Sequence, residues 1–238
     1  MANVQILKSE LHKNLRYQTA YTRELGYAVG AMMVMPCEIP SVQREYPLLF
    51  RKHSETGTFF LNALLGFEED ENLFVDRSGV WHAGHVPFAA QKGPFLIGSE
   101  ASSEYPGQQD PVVCVDIDDP HFSSSGEPLF TESGALTPHM EKVSQVLLAM
   151  HQDAKNIEAM TNLFLEFDLI EPLSLKATLD DGQEIGFEGG YTIAQEKLDG
   201  LSAERLFTLN KSGFLGAAYM ISSSLQNVQR LLDIKNAK

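Results

Sequence analysis

The sequence predicts an α+β fold: a mainly antiparallel sheet with one long helix, about 137–167, and a C-terminal helix packed against it. Three observations predict it. Short aromatic and branched runs of strand length fill residues 48–116, turn signals separate them, and one long stretch of helical periodicity follows with its own start signal at Thr137-Pro138.

The first 25 residues are polar and mixed, and Leu7, Leu11 and Leu15 at four-residue spacing suggest a short helix or an irregular arm. Tyr27 to Met35 is a small apolar run ending at Pro36, a buried strand by this reading. A short helix is expected over Ser41 to Tyr46, halted by Pro47. Leu48-Leu49-Phe50 and Thr58 to Leu65, separated by Ser54-Glu55-Thr56-Gly57, form a hairpin pattern. A second is expected from Asn72-Leu73-Phe74-Val75 and Val80 to Val86, joined by Asp76-Arg77-Ser78-Gly79, where Asp and Gly stand at the ends a type I turn favours. Phe95 to Gly98 and Val112 to Asp116 are further strands, split by the polar loop Ser99 to Asp110.

In the second half, Thr137 is an N-cap, Pro138 suits the first helical position and Glu141 lies in the first turn. Val143, Leu147, Met150, Ala154, Ile157, Met160 and Phe164 then recur at the three-and-four spacing of one buried helix face. Leu173 to Leu179 alternates with period two, Asp180-Asp181-Gly182 turns the chain, and Glu184 to Phe187 returns it; Tyr191-Thr192-Ile193 is another strand. The glycines between Gly186 and Gly190 mark a bulge or tight turn. Ser202 caps a short helix carrying Leu206 and Leu209, Gly213 stops it, and Phe214 to Ile234 reads as one last helix whose small residues press against a sheet.

The chain has 238 residues and a formal net charge of -14, with 43% apolar residues, and one domain over 1–238 is expected. The acid excess, including Glu68-Glu69-Asp70-Glu71 and Asp116-Ile117-Asp118-Asp119, repels phosphate backbones and anionic membranes. The longest apolar stretch, Tyr27 to Cys37, has about half of the roughly 20 residues a spanning helix needs. Cys37 and Cys114 stand in apolar or tight surroundings as small buried hydrophobes, and no secretory pattern follows Met1, so a cytoplasmic protein is expected.

Candidate chemistry is sparse. His82 and His85 with Asp116, Asp118 and His121 are a candidate metal set of the two-His-one-carboxylate kind, which would take iron. Residues three apart on a strand face opposite ways, so His82 and His85 converge only if Gly84 makes a bulge. The acidic loop 116–119 lacks the sixth-position Gly and twelfth-position Glu of a calcium loop. There is no G-x-S-x-G elbow and no phosphate-cradling glycine loop. Trp81, Phe88 and Phe95 around Pro87 and Pro94 are either an aromatic recognition pocket or core.

Several segments, in order, resemble the SapC family: Glu38; Glu45-Tyr46-Pro47-Leu48-Leu49-Phe50; Glu71 to Asp76 with Gly79 and Trp81; Val86-Pro87-Phe88 and Gly93-Pro94-Phe95; Cys114-Val115-Asp116; Gly126 to Phe130; and Phe187-Glu188-Gly189 with Tyr191. The resemblance runs from about residue 5 to 233. It departs where the family has a basic pair, here Gln91-Lys92 before Gly93, so a ligand contact through that first basic residue is not expected. Tyr46, Trp81, Pro87, Phe88, Phe95, Glu188 and Tyr191 are the candidate ligand-binding residues. The resemblance implies a bacterial protein linked to surface layers, with relatives encoded beside halogenase-like, hydroxylase-like and TonB-dependent receptor proteins. It supplies no catalytic residues. An accessory or binding protein for a protein, peptide or small molecule is the first expectation. A non-haem-iron hydroxylase-like enzyme is the second, and a structural surface-layer component the third.

Overall fold

In a computed structural model the chain is described at residues 3–102, 105 and 107–238. Met1 and Ala2 lie outside these residues, as do Ser103, Glu104 and Pro106 of the loop expected over Ser99 to Asp110.

The elements in chain order are β1 (Val4–Ile6), α1 (Ser9–His12), β2 (Arg16–Tyr17) and β3 (Ala31–Met33). A 3-10 turn (Pro36–Glu38) leads into α2 (Ile39–Val42), then β4 (Leu48–Lys52), β5 (Phe59–Leu64) and α3 (Phe88–Gln91). β6 (Phe95–Ala101), β7 (Gln109–Asp116), β8 (Glu127–Pro128) and α4 (Pro138–Glu166) come next. β9 (Ile170–Thr178), β10 (Glu184–Ile193), α5 (Gln195–Asp199), α6 (Ala203–Ser212), α7 (Phe214–Ser224) and α8 (Asn227–Asn236) complete the chain. All strand pairings are antiparallel, and with the long α4 and the C-terminal helices the fold is α+β.

Where one domain over 1–238 is expected from sequence, contacts gather the chain into two compact units whose segments interleave. The first comprises the described part of Met1–Tyr27 with Ser78–Val80 and Phe88–Gln152. It holds the sheet β1-β7-β6 and the short pair β2-β8. Its core joins Tyr17, Phe95, Val115, Leu129 and Phe130 to Met140, Val143 and Leu147 from the first half of α4. The second unit comprises Ala28–Arg77, Trp81–Pro87 and Asp153–Lys238. Its sheet runs β3-β5-β4-β10-β9, and α7 packs on β4 and β10 through buried Ala217, Ala218 and Ile221. The ring of Phe164 meets Phe50 edge-on at 6.1 Å.

The 48–65 hairpin, the 95–116 strands, α4 and the cap and stop of α6 stand where expected: Ser202 Oγ accepts the Arg205 N–H and Gly213 takes φ 81 in the left-handed region. The bulge expected at the glycines is a register shift between Phe187 and Gly190 within one continuous β10.

Elsewhere side chains and buried turns redirect the backbone. The predicted 72–86 hairpin reduces to one bridge, Val75 with Trp81, because Asn72 Oδ1 takes the Phe74 N–H and Glu45 takes the amides of Gly84 and His85. Only Ala31–Met33 of the expected strand 27–35 pairs, since Gly30 bonds instead to Glu69, Leu65 and Gly66. The helix expected at 41–46 begins earlier, at Ile39, with Pro40 in its first turn. The single helix expected over 214–234 breaks into α7 and α8, where Ser223 and Ser224 hydroxyls bond back to Met220 and Ile221 carbonyls. In α4 the apolar stripe fails at exposed Ala154, and Asp153 takes the buried position.

Candidate functional site

In the second unit the family-like residues meet at the segment 81–87. Tyr46 follows the turn after α2 and is fully buried, its ring against Phe74 at 4.4 Å. Its hydroxyl accepts the Trp81 indole N–H at 2.8 Å and donates to the His85 carbonyl at 2.7 Å. Glu45 Oε1 accepts the amides of Gly84 at 2.7 Å and His85 at 3.3 Å, while its other oxygen pairs with Arg230 of α8 at 2.9 Å. Glu38, 2% exposed, accepts the Met35 amide at 2.9 Å and lies 3.0 Å from His85 Nε2. A carboxylate removed from water is tolerated because both its oxygens are bonded. The result is a strap fastened by side chains from about forty residues earlier, and burial holds the Tyr46 phenol above the usual tyrosine range.

Beside it, Cys37, expected as a buried hydrophobe, is an exposed residue whose thiol lies against Asp153, and the Asp153 carboxylate accepts the Cys37 amide at 2.6 Å. Burial first, then the hydrogen bond and charge of Asp153, push the thiol pKa up to about 12. The thiolate is the reactive form, so at pH 8 alkylation by iodoacetamide is expected to run about three orders of magnitude slower than for a free thiol. Peptide-resolved mass spectrometry should show the Cys37 rate still rising above pH 10; a plateau below pH 9 contradicts this assignment.

In the first unit a second buried polar cluster forms around Tyr17. Asp119 Oδ1 lies 2.6 Å from His121 Nδ1, and His121 Nε2 lies 3.1 Å from the Tyr27 hydroxyl. The Tyr17 ring stacks with His121 at 5.7 Å and with His139 at 5.4 Å. Gly93, at φ +54, is required here: a Cβ would come 2.6 Å from the Tyr17 hydroxyl. Burial raises the Tyr17 and Tyr27 phenols and lowers Lys92 and His139, so the cluster holds neutral phenols around an imidazole fixed by a carboxylate. Its chemistry is hydrogen bonding that orients rings.

The residues of the expected metal set fall in both units, and within each unit they bond to other groups. His82 lies 2.6 Å from Asp76 and is exposed, His85 turns to Glu38, and His121 turns to Asp119 and Tyr27. Asp116 Oδ1 accepts the amides of Asn3 and Asp118. Each imidazole has a carboxylate partner, and among the described residues no three His, Cys, Asp or Glu side chains are placed to hold a metal ion. The expected ligand-binding residues also fall in both units. Tyr46 and Phe95 have no exposed surface, and Trp81 and Pro87 are buried. Phe88 opens α3, Tyr191 packs edge-on to Phe59 at 4.9 Å, and Glu188 is exposed on the β10 bulge.

Sequence reading missed roles for Glu45, Asp153, Tyr27 and Asp119. Only Asp119 carried a local signal, its two-residue spacing from His121, which suits an Asx-type turn.

A family model described as SapC matches residues 7–231. No curated protein and no solved structure matches the chain.

Proposed function

Since the chain belongs to the SapC family, we propose that it is an accessory or binding protein, holding a peptide or protein partner in the cytoplasm for a bacterial surface-assembly, nutrient-uptake or peptide-tailoring system. The observation that supports this reading is the use to which the family-like residues are put. Glu45, Tyr46 and Trp81 are spent on one another and on the backbone of the 81–87 strap, and Glu38 on the Met35 amide and the His85 ring. Residues so committed build a shape, and shape is what a recognition surface requires.

The test is copurification of tagged chain from the native host after mild cross-linking, followed by reconstitution from purified components. The expected result is a partner that rebinds in a fixed ratio. A chain recovered alone under both native and cross-linked conditions contradicts the reading.

A further inference from the structure

β9 lies at the edge of the five-stranded sheet, and among the described residues it pairs only with β10. Its side chains alternate: Pro172, Ser174, Lys176 and Thr178 are exposed, while Leu173, Leu175 and Ala177 are half-buried on the other face. Two features give the direction of its backbone groups. Proline is tolerated in a strand where its missing N–H would point away from the ladder. The Leu175 carbonyl oxygen is turned toward β10, 2.8 Å from where a Cβ on Gly186 would sit. The odd-numbered residues therefore bond inward, and the N–H and C=O groups of Ser174 and Lys176 face the open edge.

Across the exposed face, Thr178 stands opposite Glu184 and Lys176 opposite Gly186, and Ser174 comes opposite the bulge that carries Glu188. Gly186 leaves a gap in the row, a hollow of about 410 Å³ lined by Lys176, Glu184 and Glu188 among others. A strand added about 4.8 Å beyond β9 would place alternate side chains in these same three rows. In the outer two rows only the short Ser174 and Thr178 side chains intervene, so a long basic side chain can reach Glu188 or Glu184. In the middle row Lys176 calls for an acid. The half-buried face, with Leu173, Leu175 and Ala177, calls for apolar residues between them.

Resting on the binding reading above, we propose that β9 is a strand-addition site for an extended partner segment of the pattern basic–apolar–acidic–apolar–basic. The segment adds antiparallel, the geometry in which the residues opposite Ser174, Lys176 and Thr178 turn their own N–H and C=O groups to β9, so the charged positions carry the ladder. Charge favours such a segment over a second copy of the chain. Two-fold pairing of β9 with itself offers Lys176 no carboxylate opposite Pro172, and opposite Ser174 or Thr178 only Glu188 or Glu184 beyond; in every register it brings together two chains of net charge -14.

The test is fluorescence anisotropy of the whole chain with a labelled peptide whose core is Arg-Val-Glu-Val-Arg. Saturable binding is expected, about tenfold weaker for the reversed core Glu-Val-Arg-Val-Glu, and abolished when the three charged residues are N-methylated. Glu184→Lys with Glu188→Lys, both at exposed positions, should invert the preference. Equal binding of the two cores, or undiminished binding of the N-methylated peptide, overturns the proposal. So does a dimer in sedimentation that Ser174→Pro converts to monomer. A natural partner that still copurifies with the double variant at full yield removes β9 as the site while leaving the binding reading intact.

Discussion

Replacing Trp81 with alanine is expected to destabilise the protein by about 3–5 kcal/mol, because a large buried ring is removed from a packed site. The loss should fall first on the strap. Without the indole, the Tyr46 hydroxyl loses the donor 2.8 Å away that fixes it under the His85 carbonyl, and the strap at 84–85 is left held by Glu45 alone. Hydrogen exchange should therefore speed up at 84–85 well before the sheet amides respond. Trp81→Phe keeps the bulk and loses only the N–H, so about 1 kcal/mol is expected. Circular dichroism through a urea series separates the two variants. If Trp81 instead served as an exposed ligand platform, both substitutions would leave the midpoint unchanged and alter only binding.

Phe95→Ala is the counterpart in the first unit. Phe95 has no exposed surface, and its ring is edge-on to Tyr17 at 5.3 Å and to Phe122 at 5.9 Å. A loss of about 3–5 kcal/mol is expected, lowering the melting temperature by roughly 10 °C. The side-chain stacking of Tyr17 with His121 and His139 should loosen with it, seen as broadened or shifted histidine ring resonances in NMR spectra. An unchanged melting temperature contradicts the core assignment.

These two residues show what was legible in the sequence. Leu48 to Leu65 reads as a hairpin because its strands are built from residues that suit a buried sheet and its turn ends in Gly57, at φ 71. α4 reads because Thr137 and Pro138 announce it and Thr137 Oγ1 does accept the Met140 amide. The β10 bulge reads from its glycines. The 72–86 segment misreads because its backbone partners are side chains: Glu45 lies 39 residues from Gly84, and no periodicity records such a contact. A core aromatic and a ligand-facing aromatic demand the same residue type, so Tyr46, Trp81 and Phe95 could be named without their surroundings being known. Asp153 escaped notice for the opposite reason, since a lone acid normally belongs to a surface, and Glu38 stood out only through the family resemblance.

The decisive measurement is amide hydrogen exchange on the full chain, alone and saturated with the partner recovered by copurification. New protection is expected within Ile170–Thr178, at Ser174, Lys176 and Thr178 above their odd-numbered neighbours, with the strap at 81–87 exchanging equally in both states. Protection that appears at 81–87 and leaves β9 unchanged would contradict the reading, making the family-like residues themselves the contact.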